Sequence, residues 1–212
     1  YVHAVTEGDP KLRAVATDGH RLARVEIDLP EGAEAMPGVI IPRKTVAELR
    51  KLIEETDGAI TISLSETKIR FGFDGAVLIS KLIDGTFPDY ERVIPTGNDK
   101  ILKVDRESFS RAVDRVSTIA TEKLRAIKLS IDSGQITLSA SSQENGTAIE
   151  ELQVDYDKES IEIGFNARYL MDIADQIESN QAEFHLADAA SPTIVRDAED
   201  PGALYVLMPM RV

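Results

Sequence analysis

Cysteine is absent from the 212 residues, so the chain holds no disulfide framework, no thiolate metal site and no thiol nucleophile. That absence fits a reducing compartment, and a cytoplasmic protein is expected. No apolar run approaches the length needed to cross a bilayer, and no signal-peptide pattern opens the sequence. A soluble globular protein without membrane contact is the reading. Histidine occurs only as His3, His20 and His185, with no two at metal-ligand spacing. Neither a glycine-rich phosphate loop nor an activated-serine motif is present. No metal and no cofactor are expected.

Positive charge is also in deficit. Against 37 acidic side chains stand 24 Lys and Arg, for a formal net charge of −13. An acidic balance argues against nucleic acid, because a duplex attracts concentrated positive charge. Net charge says nothing about distribution, however, and a protein acidic overall can be basic along one surface.

What is present is a 42% apolar chain long enough for two ordinary domains, each with its own core. Leu12, Ala14 and Ala16 alternate before Thr17-Asp18-Gly19-His20-Arg21-Leu22, and Leu22, Val25 and Ile27 follow it. A strand-loop-strand turn carrying an acid, an imidazole and a cation results. Two readings stand side by side: Asp18 orients His20 in a metal-dependent or acid-base hydrolase, or Asp-Gly is simply a turn signal.

In chain order, strands broken at Gly8-Asp9-Pro10 and at the polar loop fill residues 1 to 29. Pro42 then precedes a helix whose one face is Val46, Leu49, Leu52 and Ile53, ending near Asp57-Gly58. Alternating segments around Ile60, Ile62 and Leu64, then Ile69, Phe71 and Phe73, lead through Asp74-Gly75 into 77–82. Residues 84–100 lack a period and read as a linker. Phe109, Ala112, Val113, Val116, Ile119 and Ala120 mark a second helix capped by Asp105. Strands over 127–131, 135–140, 148–154 and 161–165 follow. Asn166 caps a third helix whose apolar side is Tyr169, Leu170, Ile173, Ala174 and Ile177, and the last strand is expected over 204–212.

The two halves align at one offset of 124 residues. Leu12, Ala14 and Ala16 fall on Ile136, Leu138 and Ala140, while Glu48, Leu49, Leu52 and Glu54 fall on Asp172, Ile173, Gln176 and Glu178. One offset serving both a strand and a helix favours a true repeat. The second copy begins with a helix whose counterpart would precede Tyr1. A fragment that begins inside a domain is therefore expected.

Three segments carry a resemblance: 16–22, Ala-Thr-Asp-Gly-His-Arg-Leu; 81–90, Lys-Leu-Ile-Asp-Gly-Thr-Phe-Pro-Asp-Tyr; and 205–212, Tyr-Val-Leu-Met-Pro-Met-Arg-Val. Together with Val39-Ile40-Ile41-Pro42-Arg43-Lys44, their order and spacing resemble the bacterial sliding-clamp family, the β subunits of DNA polymerase III. The resemblance covers the whole chain and implies an α+β processivity-clamp fold. In that fold β-α-β-β-β units repeat, helices line a central hole and antiparallel sheets lie outside. It implies a second clamp domain over 1–97, truncated at its start, and a third over 98–212, with the first absent.

The implied function is a non-catalytic DNA polymerase processivity factor: a ring, a homodimer when full length, that encircles duplex DNA without sequence specificity. Its implied partners are the replicative polymerase subunit, the clamp loader and other proteins bearing the clamp-binding motif. By matching positions, the peptide pocket takes Thr17, Gly19, His20, Arg21 and Leu22, then Pro88, Arg92 and Val93, and finally Val206, Leu207, Met208, Pro209, Met210 and Arg211. Asn166 and Tyr169 border it. Without the resemblance, Val206, Leu207 and Met208 read rather as completing an edge strand and its core.

Arg43, Lys44, Arg50 and Lys51 on one helix, and Arg106, Arg111, Arg115 and Lys123 on or near another, are the DNA-facing residues the resemblance implies. An ordinary solvated helix face is the alternative. Asp172 and Asp175 beside Arg168 argue against the third helix as a strong DNA contact. Thr118, Ile119, Glu150 and Glu151 match the third domain's side of the ring-closing contact. A chain lacking the first domain is expected to be monomeric or weakly associated.

Overall fold

The computed structural model describes residues 1–54, 58–120 and 125–212. Residues sort into two compact units, one comprising 1–15 and 25–89, the other 16–24 and 90–212. The tip of one hairpin thus groups with the second unit. The architecture is α+β throughout.

In the first unit β1 (Val2–Val5), β2 (Lys11–Thr17) and β3 (Arg21–Asp28) are consecutive neighbours in one sheet. Strand β1 pairs antiparallel with β2, with Val2 opposite Ala14 and Val5 opposite Lys11. The helix α1 (Arg43–Ile53) precedes a second sheet of β4 (Thr61–Leu64), β5 (Lys68–Phe73) and β6 (Ala76–Lys81). Asp74 and Gly75 both have positive φ, 40° and 76°, which the tight β5–β6 turn requires. Ile69, Phe71 and Phe73 form the core here, with Leu49, Leu64 and Leu78 packed against them.

The expected apolar face of α1 needs correction. Val46 and Leu52 are 50% and 42% exposed, whereas Thr45 is buried and Leu49 and Ile53 are half-buried. Thr45, Leu49 and Ile53 stand four apart, so only one narrow stripe of the helix is covered. Thr45 satisfies its hydroxyl on Ser80 Oγ at 2.6 Å. Ile62, placed inside by alternation, is also exposed.

The second unit opens with a 3-10 turn, Tyr90–Val93, then β7 (Lys100–Asp105) and α2 (Arg106–Ser117). Strands β8 (Ala126–Asp132), β9 (Gln135–Ser142), β10 (Gly146–Gln153) and β11 (Ile161–Asn166) form a sheet in the order β10-β9-β8-β11. After α3 (Ala167–Ala174) come β12 (Gln181–Leu186), β13 (Thr193–Asp197) and β14 (Ala203–Leu207), ordered β14-β13-β12-β7. Both sheets and both helices share one core. Phe109 and Val113 of α2 meet Leu170 of α3, Leu129 and Ile136 of one sheet, and Phe184 and Val195 of the other. At ~25 cal/mol per Å² of apolar surface, a core of this kind outweighs every single polar contact described below.

Caps form where the sequence placed them. Asp105 Oδ1 accepts from Ser108 N at 2.8 Å, and Asn166 Oδ1 from Arg168 N at 2.9 Å. Three boundaries differ. Helix α2 stops at Ser117, because Thr118, Ile119 and Ala120 donate to carbonyls only three residues back and tighten the chain out of the helix. Strand β7 lies between the segment read as linker, 84–100, and the cap Asp105, where no element was expected; only Leu102 and Val104 are buried, too short an alternation to stand out. The last strand ends at Leu207 instead of running to Val212, since Pro209 has no N–H to give a ladder.

The repeat is visible in the elements. β1 and β8 begin at Val2 and Ala126, β2 and β9 at Lys11 and Gln135, α1 and α3 at Arg43 and Ala167, each 124 residues apart. Isolated bridges agree: Ile40 pairs Ile83 in the first copy, and Gly164 pairs Met210 in the second.

Asp197 closes the turn from α3 to β12. It is buried, and its Oδ2 accepts from Glu178 N at 2.8 Å and Ser179 N at 3.0 Å, while Oδ1 accepts from Glu199 N at 2.9 Å. Burial alone would push this carboxyl up, but the Ser179 and backbone donors win and hold it at about 2. A folded-state value below the unfolded one means stability that is present above pH ~4 and lost as pH falls toward 2. Asp197→Asn should therefore cost about 2 kcal/mol at pH 7 and flatten the acid limb between pH 4 and 2. Urea denaturation across that range measures both.

Candidate functional site

The loop between β2 and β3 is built by its own side chains. Thr17 Oγ1 donates to Arg21 O at 2.8 Å and accepts from Gly19 N at 3.1 Å. Asp18 Oδ1 accepts from the backbone N–H groups of His20 and Arg21, both at 3.0 Å. Gly19 takes φ +86°, a conformation that a β-carbon would strain. Asp18 thus ties an Asx-type turn.

Arg21 carries this loop to α3. Its Nε donates to Asp18 Oδ2 at 3.1 Å, its Nη1 donates to Asp172 Oδ2 at 2.6 Å, and its guanidinium carbon sits 4.2 Å from the Tyr169 ring centroid. Tyr169 and Asp172 are three residues apart, so one helix face offers both a π face and a carboxylate. Burial would raise Asp18, yet the two backbone donors and the Arg21 guanidinium hold it below its ordinary value. For Arg21, burial lowers and the Asp172 and Asp18 carboxylates raise, with a net rise.

The C-terminal tail joins the same region. Met208 N donates to His20 O at 3.0 Å, and Met210 N to Gly164 O at 2.8 Å. Gly164 is required for that approach, since a β-carbon there would stand 2.6 Å from Met210 O. Val206 and Leu207 are both buried, but they face opposite ways. Leu207 lies in the helix-side core with Tyr205, and alternation turns Val206 and Leu204 to the other face. Leu22 likewise is buried outside that core, whereas its neighbour Ala23 packs against it. Met208 is 38% exposed, Pro209 and Met210 are half-buried, and Arg211 is exposed.

Within the second unit the structure therefore brings together Thr17, Gly19, His20, Arg21, Tyr169, Met208 and, through Gly164, Met210. Leu207 is held away in the core. Asn166 is occupied as the cap of α3. Arg92 is exposed on the 3-10 turn and Val93 is 43% exposed beside it, while Pro88 belongs to the first unit. Asp172 was missed as a partner. It was read as an outer acid of its helix, although its spacing from Tyr169 placed both on one face.

The hydrolase reading is overturned by this geometry. The Asp18 carboxylate is spent on the His20 and Arg21 amides and on the Arg21 guanidinium, so it does not orient the exposed His20 ring. Among the described residues no group of three His, Asp or Glu could hold a metal. What the arrangement offers is a rigid polar rim beside buried apolar side chains.

The basic helix residues have acidic company. Arg50 lies 3.5 Å from Glu54, Lys51 lies 3.2 Å from Glu48, and Arg111 pairs with Glu107. Arg115 makes a two-pronged pair with Glu150 of β10, so residues assigned to two different surfaces are partners. Arg43 and Lys44 are exposed, with no ion pair among the described residues. Arg106 is half-buried with its Nε enclosed. Lys123 lies outside the described residues. Thr118 closes α2 through its Oγ1 on Arg115 O at 2.7 Å, and Ile119 is half-buried. Strand β10, with Glu150, Glu151 and a 66% exposed Ile149, is the edge of its sheet.

Family models agree with the motifs. Residues 2–89 match the central domain of the DNA polymerase III beta subunit, and residues 91–211 match its C-terminal domain. The chain belongs to the DNA polymerase III beta subunit family. The beta sliding clamp of Caulobacter vibrioides (strain NA1000 / CB15N) is 58% identical over 213 residues, covering all of this chain and 57% of that protein. A crystal structure of a DnaN sliding clamp from Bartonella birtlesii, bound to griselimycin, is similar with a TM-score of 0.97 at 55% identity, covering 100% of this chain and 57% of that one. The griselimycin-bound clamp of Pseudomonas aeruginosa follows with a TM-score of 0.93, 40% identity and the same coverage. The chain thus has the processivity-clamp fold, spans about 57% of the length of these relatives, and meets the family expectation drawn from its three motifs.

Gly164→Ala should displace the tail without unfolding the second unit. In hydrogen exchange the Met210 amide is expected to lose protection by at least about tenfold, the equivalent of one hydrogen bond, while amides of β8 and β9 stay protected. Unchanged Met210 protection would show that the tail is held by something other than its approach to Gly164.

Proposed function

We propose that this chain is the partner-binding part of a DNA polymerase processivity factor, a non-catalytic cytoplasmic clamp that encircles duplex DNA. The observation that carries the reading is the polar rim of Arg21, Tyr169 and Asp172, joined to the tail through Met208 N and His20 O, beside the buried Leu22 and Val206. A peptide with leucine and phenylalanine anchors needs an apolar cleft and a few fixed polar groups, and methionines adapt to several partners. Thr17, Gly19, His20, Arg21, Leu22, Tyr169, Val206, Met208, Pro209, Met210 and Arg211, with Arg92, Val93 and Asn166 carried over from the family, make up this pocket. Its occupants are the replicative polymerase subunit, the clamp loader and other motif-bearing proteins. That two related clamps are bound to griselimycin supports a ligand-accepting surface in this family.

In the same reading, residues 1–97 and 98–212 serve as the second and third domains of a three-domain clamp. Duplex DNA passes Arg43, Lys44, Arg50, Lys51, Arg111 and Arg115. Exposed ion pairs are weak, so Arg50, Lys51, Arg111 and Arg115 can exchange their carboxylates for a passing phosphate, while Arg43 and Lys44 meet it directly. Contacts of this kind are weak and blind to sequence, as sliding demands. The β10 edge, with Glu150, Glu151 and Ile149, supplies this chain's side of the ring-closing contact, because an edge strand presents unpaired backbone groups.

A labelled Gln-Leu-x-Leu-Phe peptide titrated with the chain should show saturable fluorescence anisotropy. Met208→Asp should weaken it by about a hundredfold, since a carboxylate replaces an apolar wall. Absence of binding to the unmodified chain would sink the pocket. In full-length protein, reversing Arg43, Lys44, Arg111 and Arg115 to Glu should shorten retention on circular DNA. Retention that stays unchanged and insensitive to salt would point to a peptide-binding scaffold that never meets DNA.

A further inference from the structure

An open cleft of about 350 Å³ lies in the second unit, on the sheet face opposite the helix-side core. Its lining includes Arg24 of β3, His185 of β12, Arg196 of β13 and Leu204 of β14, with Ile94 and Asn98 of the connector as the outer wall. Asn98 fixes that wall by donating from Nδ2 to His185 O at 2.8 Å and Pro192 O at 2.9 Å. The pocket is thus built by the fold and is lined by two guanidiniums and an imidazole.

One of its charges, that of Arg196, is not cancelled. Glu183, opposite Arg196 in the ladder, gives Oε1 to Lys103 at 2.9 Å and lies 3.5 Å from His185 Nε2 through Oε2. Arg196 is left with no acidic partner among the described residues, and its Nε is buried without an acceptor. A buried donor in that state calls for an acceptor from outside. Burial, followed by the Arg196 charge, holds His185 below its ordinary value against the pull of Glu183.

The cleft's position names the source of the acceptor. Along β3 it takes Arg24, two residues beyond Leu22 on the same face; along β14 it takes Leu204, two before Val206. It therefore continues the surface that the proposed peptide pocket uses. We propose that the cleft of Arg24, His185 and Arg196 is an anion subsite for an Asp or Glu side chain flanking the apolar anchors of a bound partner peptide. This rests on the peptide-pocket reading. Guanidinium groups suit a carboxylate because they offer parallel N–H donors. The subsite selects among partners, adding a charge requirement to an apolar anchor that many sequences could satisfy.

The test compares two sets of labelled Gln-Leu-x-Leu-Phe peptides on the 212-residue chain, one extended by Asp-Asp at either end and one by Asn-Asn. A chain of net charge −13 repels an acidic peptide at long range, so a preference for Asp needs a local cation site. At least one Asp-extended peptide should bind about tenfold more tightly than its Asn counterpart. Arg196→Gln should abolish the difference, leave Asn-peptide affinity unchanged and retain the parent's circular dichroism. Arg24→Gln should reduce the difference. In NMR, the Asp-extended peptide alone should raise the pKa of the His185 ring. If Asn and Asp peptides bind equally, the anion subsite is overturned and the peptide pocket stands. If no peptide binds, the pocket itself has failed and the subsite with it.

Discussion

One guanidinium organises the candidate site. Arg21 is the point at which a hairpin tip, a carboxylate of its own loop, a carboxylate of α3 and an aromatic ring of α3 converge. Remove the charge and Asp172 and the Tyr169 ring lose their shared cation. Asp18 would keep its two backbone donors, but Asp172 would face Tyr169 with no cation between them. Lysine could not substitute, since a point charge cannot meet two carboxylates and a ring at once. The loop presents that guanidinium through its own turn geometry. Asp18 ties the turn, Gly19 supplies the positive φ, and His20 is left with its carbonyl turned to Met208 N.

The internal repeat explains why the tail can be part of that arrangement. Ile40 bridging Ile83 and Gly164 bridging Met210 are the same contact in two copies, 124 residues apart at their first member. In the first copy an isoleucine suffices. In the second, glycine removes the β-carbon that would strike Met210 O, and the terminal residues settle against β11. The corresponding position carries Ile40 in one copy and Gly164 in the other, and only the glycine admits the close approach of Met210, beyond Pro209, which cannot extend a ladder.

Much of this was legible in the sequence, for reasons that can be stated. Strands β1 to β3, β5 and the Asp74-Gly75 hairpin follow from alternation and turn chemistry. The caps Asp105 and Asn166 follow from side chains that can reach an N-terminal amide. Motif order brought the family within reach before any coordinate. Periodicity misled where burial is one-sided: α1 has apolar residues around more of its circumference than its neighbours cover, so Val46 and Leu52 were placed inside. Leu207 could not be separated from Val206 by type alone, because only the sheet's orientation decides which of two adjacent apolar residues meets the helices. Asp172 was hidden for a related reason. An acid on a polar helix face gives no sign of a cation 151 residues away.

Charge is where the sequence and the proposed function pull hardest against each other. A net charge of −13 would keep a duplex at a distance if it were spread evenly. On the helices most of the cations are already neighboured by carboxylates, as with Arg111 and Glu107 or Arg115 and Glu150, and Arg43 and Lys44 are the exceptions among the described residues. Such pairs are cheap to open at an exposed surface, and a phosphate arriving within a Debye length of about 8 Å competes with the carboxylate on nearly equal terms. Tight, unpaired cations would bind DNA more strongly, and by the same physics would hold it still. A ring that retains its duplex by closure needs only enough local attraction to keep the DNA centred. Under the proposed function, acidic side chains beside Arg111 and Arg115 would lower friction, and the overall negative charge would disfavour nucleic acid on surfaces that lack clustered cations.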